Sequence, residues 1–180
     1  MIRLFVGIGL PEDVRVRLAS LGAGILGARW VAPENFHLSL RFVGEVNGTL
    51  ASDVHDALGL VRARRFEMML SGVGHFETGG QVRALWAGVE KNSDLLALRE
   101  RIEGALVRIG LASERRRFMA HVTLCRLRET PLAHVSAFLA THSMFRAGPL
   151  PVDHFTLYSS LTREGGSVYR EEARYPLAPA

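Results

Sequence analysis

The chain has 180 residues, of which 48% are apolar and 22% are charged, and its mean hydropathy is +0.12. This composition excludes intrinsic disorder, and the single cysteine excludes a disulfide scaffold, so we expect one globular domain over residues 1–180. Charged residues interrupt every apolar run before it reaches about 18 residues, which predicts no transmembrane helix, no membrane partner and a cytoplasmic location.

The charge balance favours anionic partners only weakly. Basic residues number 22 against 18 acidic residues, a net charge of +4, and Lys91 is the only lysine. The planar guanidinium of arginine matches the geometry of phosphate groups better than an ammonium does. A balance of this size is not a nucleic-acid-binding signature by itself.

Strand-like and helix-like patterns alternate along the chain. In chain order, strands are predicted at residues 2–9, 35–46, 66–76, 82–90, 120–128, 153–161 and 167–177. Helices are predicted from Pro11 toward Gly27, over residues 49–63, over residues 93–110 with Ser93 as N-cap, and from Pro131 onward; turns are predicted at Asn47-Gly48, Thr78-Gly79-Gly80 and Gly165-Gly166. Several neighbouring strands have no helix between them, which favours a largely antiparallel sheet in an α+β fold.

One unit occurs twice in the sequence. His37-Leu38-Ser39-Leu40 and His121-Val122-Thr123-Leu124 each open a predicted strand. Since residues i and i+2 of a strand share a face, each tetrad presents an imidazole beside a hydroxyl, while its apolar residues face the core. The repetition predicts two similar lobes, with the four polar groups converging between them.

Two imidazoles and two hydroxyls suit displacement at phosphorus. One neutral histidine can accept a proton while a charged one donates a proton, and hydroxyls can donate hydrogen bonds to phosphoryl oxygens. This chemistry requires no metal and no cofactor. A zinc site is the competing interpretation of the histidines, but no third ligand stands at a characteristic spacing.

The chain resembles the 2H phosphoesterase superfamily, and in particular the RNA 2′,3′-cyclic phosphodiesterases once described as 2′-5′ RNA ligases. The similar segments follow the family order over nearly the whole chain: RLFVGIGLPEDVR, RWVAPENFHLSLRFVGEV, FEMMLSGVGHF, VRALWAGVE, ALVRIGLASERRRFMAHVTLCRLR, FTLYSSL and GGSVYR. The resemblance implies two pseudo-symmetric lobes of mostly antiparallel sheet, with outer helices and an active-site cleft between the lobes.

The resemblance also implies roles for the tetrads. His37 would donate a proton to the leaving 3′ oxygen, and His121 would accept a proton from water, leaving a 2′-phosphomonoester. Ser39 and Thr123 would bind the phosphoryl oxygens. The expected substrates are RNA ends or small nucleotides that carry a cyclic phosphate, and we expect a monomer.

Three further residues are candidates for substrate binding. Arg41 shares a face with His37 by strict strand alternation, and Phe118 could stack on a base. Arg126 follows the second tetrad but reaches the cleft only if the strand ends or bulges there. Alternation places Cys125 on the face of His121, although a small buried residue is the expected role for it.

Other functions remain open from the sequence alone. The same pair of histidines could perform 2′-5′ RNA ligation, 2′-5′ phosphodiester cleavage or opening of a small cyclic nucleotide. A non-catalytic RNA-end binding module on the same fold is the alternative outside the enzymes.

Overall fold

The computed structural model describes residues 1–22, 24–163 and 166–179. The strands are β1 (Ile2–Gly9), β2 (Arg29–Trp30), β3 (His37–Val46), β4 (Phe66–Thr78), β5 (Gln81–Val89), β6 (His121–Pro131), β7 (Arg146–Val152), β8 (His154–Arg163) and β9 (Gly166–Pro176). The α-helices are α1 (Glu12–Ala19), α2 (Gly48–Gly59), α3 (Ser93–Arg108) and α4 (Ser136–Thr141), and short 3-10 turns cover Pro33–Asn35 and Leu132–His134.

Asparagine side chains begin the two long helices. The Asn47 side chain accepts a hydrogen bond from the Leu50 N–H at 2.9 Å, so the predicted Asn47-Gly48 turn is the N-terminus of α2. Helix α3 begins in the same way, because the side chain of Asn92, and not that of the predicted Ser93, accepts a hydrogen bond from the Leu95 N–H in the first turn. Gly110 follows α3 with a φ of +95°, a conformation that favours glycine after a helix end.

The sheet is antiparallel and has approximate two-fold symmetry in its strand order. Within the described residues nine strands join in one sheet, in the order β7-β4-β5-β6-β3-β1-β8-β9, with β2 paired to β6. Strands β6 and β3 stand at the middle of this order, and each carries one tetrad. The observed architecture is the expected α+β fold of mostly antiparallel sheet with outer helices.

The two halves of the sheet meet edge to edge at a narrow junction. Leu38 of β3 and Val122 of β6 are the register partners there, and both are fully buried. Beyond this point β2 takes the place beside β6, with Trp30 opposite Cys125. The two tetrad-bearing strands therefore touch at the tetrads and then diverge.

The sequence patterns missed some local structure. Strands β2 and β7 were not predicted, since β2 has only two residues and β7 contains two prolines. Helix α1 ends at Ala19, well before the predicted Gly27, which has a φ of +77°. The predicted Gly165-Gly166 turn lies partly outside the described residues. Among the described helices, none is long and apolar enough to cross a membrane.

Candidate active site

The two tetrads lie side by side at the β3–β6 junction. The pairing of Leu38 with Val122 is antiparallel, so continuing this register by one residue sets His37 opposite Thr123 and Ser39 opposite His121. Directly opposed residues on one face of a sheet have Cβ atoms about 4.5–5.5 Å apart. The fold thus brings both imidazoles and both hydroxyls to one small area, as the sequence predicted.

His37 is held at both ring nitrogens. Its Nδ1 lies 2.7 Å from the Asn35 carbonyl, which can only accept, so Nδ1 carries a proton and donates it. Its Nε2 lies 3.0 Å from the Ser39 Oγ. Phe5 and Tyr169 enclose the ring, with centroid distances of 4.8 Å and 5.0 Å.

His121 repeats this arrangement in the other half of the sheet. Its Nδ1 donates to the Met119 carbonyl at 2.7 Å, again two residues upstream. Its ring meets the edge of Phe76 at 4.8 Å and lies 6.3 Å from the Trp86 ring. In both histidines the backbone therefore fixes the tautomer, and Nε2 is the nitrogen left for proton transfer.

The surroundings of both imidazoles favour the neutral ring. Burial lowers the pKa of His37 below its ordinary value, and the charges of His121 and Arg126 lower it further, against the hydrogen bond to Asn35. Burial also lowers the pKa of His121, and Arg126 again contributes in the same direction. The charge of Arg126 thus disfavours protonation of both rings. A bound phosphate anion would oppose these effects and favour protonation.

A β-bulge follows each tetrad and resets the alternation of side chains. On β3, Ser39 and Arg41 are opposite consecutive residues of β1, so Leu40 is the extra residue. On β6, Thr123 and Cys125 are opposite consecutive residues of β5, so Leu124 is the extra residue. Such bulges re-aim the side chains that come after them.

The bulge on β3 corrects the sequence prediction for Arg41. Its side chain does not share the face of His37 but is buried on the opposite side, 8% exposed. There Arg41 Nε donates to the Glu103 carboxylate at 2.5 Å, and the two terminal nitrogens donate to the carbonyls of Phe42 and Ala112. All three nitrogens of this guanidinium thus donate to protein groups on the buried side, which does not favour the predicted contact with substrate.

The bulge on β6 has the opposite result for Arg126. This residue is exposed and follows the tetrad on the face of His121 and Thr123, with Arg29 of β2 as its cross-strand partner. Cys125 turns to the buried face instead of the face of His121 and is 0% exposed. Arg126 is therefore the candidate cation that the fold brings beside the histidines.

Phe118 does not join this group. It packs against the core, and the guanidinium of Arg99 lies 5.5 Å from its ring centroid. Arg99 also lies 3.8 Å from Glu103, the partner of buried Arg41. Phe118 is thus associated with the α3 side of the sheet, and this position does not favour the predicted stacking on a base.

Sequence reasoning missed the aromatic surroundings of the histidines. Phe5, Tyr158 and Tyr169 come from β1, β8 and β9, and the Phe5 ring contacts both tyrosines at 5.0 Å. Alternation within each strand could have marked these residues as lying on one face, but only the order of the strands shows which histidine they surround. Trp86 is likewise half-buried beside His121.

No three histidine, cysteine, aspartate or glutamate side chains cluster as metal ligands within residues 1–22, 24–163 and 166–179. The Nδ1 atoms of His37 and His121 are fixed by backbone carbonyls, which leaves the Nε2 atom of each ring to face the site. Ser39 and Thr123 lie beside these histidines, and their hydroxyls can donate hydrogen bonds to an anion.

The chain is similar to known proteins over nearly its whole length. A protein-family model described as LigT like phosphoesterase matches residues 8–86 and 88–169, and each segment contains one tetrad. An RNA 2′,3′-cyclic phosphodiesterase of Aeropyrum pernix is 31% identical over 91% of this chain and 92% of its own length. One from Archaeoglobus fulgidus is 28% identical, covering 94% of this chain and 97% of that protein.

Solved structures give the same result. Escherichia coli LigT in complex with 3′-AMP has a TM-score of 0.79 and 27% identity, covering 98% of each chain. TT0787 of Thermus thermophilus has a TM-score of 0.78 and 27% identity at the same coverage. The family model, the relatives and the solved structures each match nearly the whole chain, including both histidine tetrads. The chain therefore belongs to the LigT-like phosphoesterase family of the 2H superfamily.

Proposed function

We propose that this protein hydrolyses 2′,3′-cyclic phosphate ends of RNA to 2′-phosphomonoesters without a metal. The observation that carries the proposal is the pair of Nε2 atoms, each made available by an Nδ1 bond to the carbonyl two residues upstream. The names of the full-length relatives support the substrate class, since they are RNA 2′,3′-cyclic phosphodiesterases. The E. coli LigT structure with 3′-AMP supports nucleotide binding.

The reaction assigns one proton transfer to each histidine. Neutral His121 removes a proton from water through Nε2 as the water oxygen bonds to phosphorus. The P–O3′ bond breaks, and protonated His37 delivers the proton on its Nε2 to the leaving oxygen. One water is consumed, the phosphate remains on O2′, and the two histidines exchange protonation states, which solvent restores.

The remaining groups stabilise charge on phosphorus. The hydroxyls of Ser39 and Thr123 donate to the non-bridging oxygens, where negative charge grows in the transition state. Arg126 supplies a cation on the same face. Binding of the anionic substrate raises the pKa of His37, which burial lowers in the free protein, and thereby charges the proton donor.

The test is hydrolysis of a short RNA with a 2′,3′-cyclic phosphate end, in EDTA, by wild type, His37→Ala and His121→Ala. His134→Ala is the matched control, because His134 is an exposed histidine on the 3-10 turn after β6. We expect wild type and the control to form the 2′-phosphate, and each site variant to lose about 10²-fold or more in rate.

The alternatives give different results in the same experiment. Loss of activity in EDTA that zinc restores would support a metal-dependent hydrolase. Formation of a 2′-5′ linkage with an added 5′-hydroxyl RNA would support ligation, which can use the same pair of histidines. Binding of the RNA end without any turnover would overturn the enzyme and favour a binding module.

A further inference from the structure

A cavity beside His37 is not used by the chemical steps. Its volume is about 440 Å³, within the roughly 300–1,000 Å³ typical of small-molecule sites. Its lining includes His37, Tyr158 and Tyr169, together with Arg15 of α1 and Gly9 of β1. We call this space the His37 cavity.

Arg15 is the cation in the His37 cavity that has no acidic partner. It is half-buried, and its Nε is shielded from solvent without a hydrogen-bond partner among the described residues. In the described part of the chain, no carboxylate oxygen lies within 4.0 Å of its nitrogens. Arg15 and Tyr158 line the same cavity, and Arg15 is among the weaker influences on the Tyr158 phenol, whose pKa burial raises.

The other charges around the cavity are satisfied or open to solvent. Arg174 pairs with Glu171 at 2.6 Å, and His154 lies 2.5 Å from Asp153. Glu34 is exposed, so water screens its charge. A buried guanidinium N–H without a partner costs free energy, which an anionic ligand can recover. Among the described residues that line the cavity, Arg15 is therefore the arginine without a carboxylate partner.

In-line displacement determines which part of the substrate lies here. Water enters on the His121 side, so the leaving O3′ lies on the His37 side, and O3′ belongs to the ribose of the terminal nucleotide. This ribose, and the 5′ oxygen attached to it, must therefore occupy the space beside His37. In an RNA chain that 5′ oxygen carries the next phosphate.

We propose that the His37 cavity binds the terminal nucleotide and that Arg15 binds its 5′-phosphate. The proposal rests on the proposed function, because the position of the ribose follows from His37 being next to the leaving oxygen. It makes the proposed substrate class more specific: the enzyme selects cyclic-phosphate nucleotides that carry a phosphate at the 5′ position. The terminal nucleotide of every RNA longer than one nucleotide meets this condition. Nucleosides with a 2′,3′-cyclic phosphate and a free 5′-hydroxyl are poor substrates.

The experiment compares two small substrates that differ only at the 5′ position. Adenosine 2′,3′-cyclic phosphate with a 5′-phosphate and the same compound with a 5′-hydroxyl are hydrolysed by wild type in EDTA. We expect a ratio of kcat/KM of about tenfold or more in favour of the 5′-phosphate, the effect of one charge-assisted hydrogen bond.

Variants then test whether Arg15 causes the preference for the 5′-phosphate. Arg15→Gln should bring the ratio close to one, and Arg15→Lys should retain part of it. Arg170→Gln is the matched control: it removes the same charge from exposed β9, next to Tyr169 and on the opposite face by alternation, and should keep the wild-type ratio. Thermal melts establish that each variant is folded.

The outcomes separate the two proposals. If wild type hydrolyses both compounds with similar kcat/KM, the 5′-phosphate site is overturned whatever the variants do. It is also overturned if Arg15→Gln keeps the same preference for the 5′-phosphate as wild type. If Arg170→Gln loses the preference for the 5′-phosphate as Arg15→Gln does, the preference comes from general charge attraction, and the proposed site is wrong. If folded wild type hydrolyses neither compound nor the RNA, the proposed function itself fails.

Discussion

Replacing Arg41 by glutamine should unfold the protein more easily without removing a substrate contact. Arg41 and Glu103 form a buried ion pair of 2.5 Å, with exposed fractions of 8% and 13%. The same guanidinium satisfies the carbonyls of Phe42 and Ala112, so it links β3 both to α3 and to the chain that follows α3. Arg41→Gln leaves a carboxylate and two carbonyls short of a donor.

The magnitude follows from what remains around Glu103. Breaking a buried ion pair by removing one partner costs about 3–5 kcal/mol. Glu103 keeps the Glu114 N–H at 2.7 Å and Arg99 at 3.8 Å, so we expect a loss near the lower end, about 3 kcal/mol in the free energy of unfolding. Because contacting residues are not additive, Arg41→Gln and Glu103→Gln should show a coupling of about 1 kcal/mol or more in a double-mutant cycle.

Urea unfolding and steady-state kinetics on the same samples test this reasoning. The comparison variant is Arg126→Gln, an exposed arginine on the face of the histidines. Its unfolding free energy should change by no more than about 0.5 kcal/mol, the usual range for surface substitutions, whereas its kcat/KM should fall about tenfold or more through a lost phosphate contact. Folded Arg41→Gln at low temperature should keep kcat/KM within a few-fold of wild type. An Arg41→Gln protein as stable as wild type but about 10²-fold less active would refute the structural role and support Arg41 as a substrate-binding residue.

Three further outcomes are expected. In Gly74→Ala the new methyl would lie 2.2 Å from the Trp86 ring, so we expect about 1–3 kcal/mol of destabilisation by urea unfolding and a lower kcat, since that ring adjoins His121; unchanged stability and kcat would contradict the packing. Since burial lowers the pKa of both His37 and His121 below 6.5, a pair that needs one ring charged and one neutral should show its kcat/KM optimum on the acid side of neutrality. The kcat profile should lie at higher pH, because bound phosphate raises both pKa values; a kcat/KM optimum well above pH ~7 would argue against the pair. Burial raises the pKa of the Cys125 thiol to about 11, so a thiol reagent near neutral pH should label this residue only after unfolding. Rapid labelling of the native protein would contradict the burial of Cys125.

The sequence by itself determined the features that depend on local periodicity. His37-Leu38-Ser39-Leu40 and its counterpart at His121 alternate polar and apolar residues, and a strand must then place the imidazole and hydroxyl on one face. The same reasoning predicted the α+β class and most of the strands, because hydrophobic patterns reflect which face is buried. The order of the similar segments was sufficient for the family.

Only the tertiary structure decided what lies around the tetrads. The bulges at Leu40 and Leu124 arise from strand pairing, and one extra residue moves Arg41 into the protein and Arg126 onto the face of the histidines. Strict alternation predicts the reverse for both. The His37 cavity is likewise built from segments far apart in the chain, from α1 to β9. Local patterns specify which way a side chain points within a strand, whereas the pairing of distant strands determines where bulges form and which residues become neighbours.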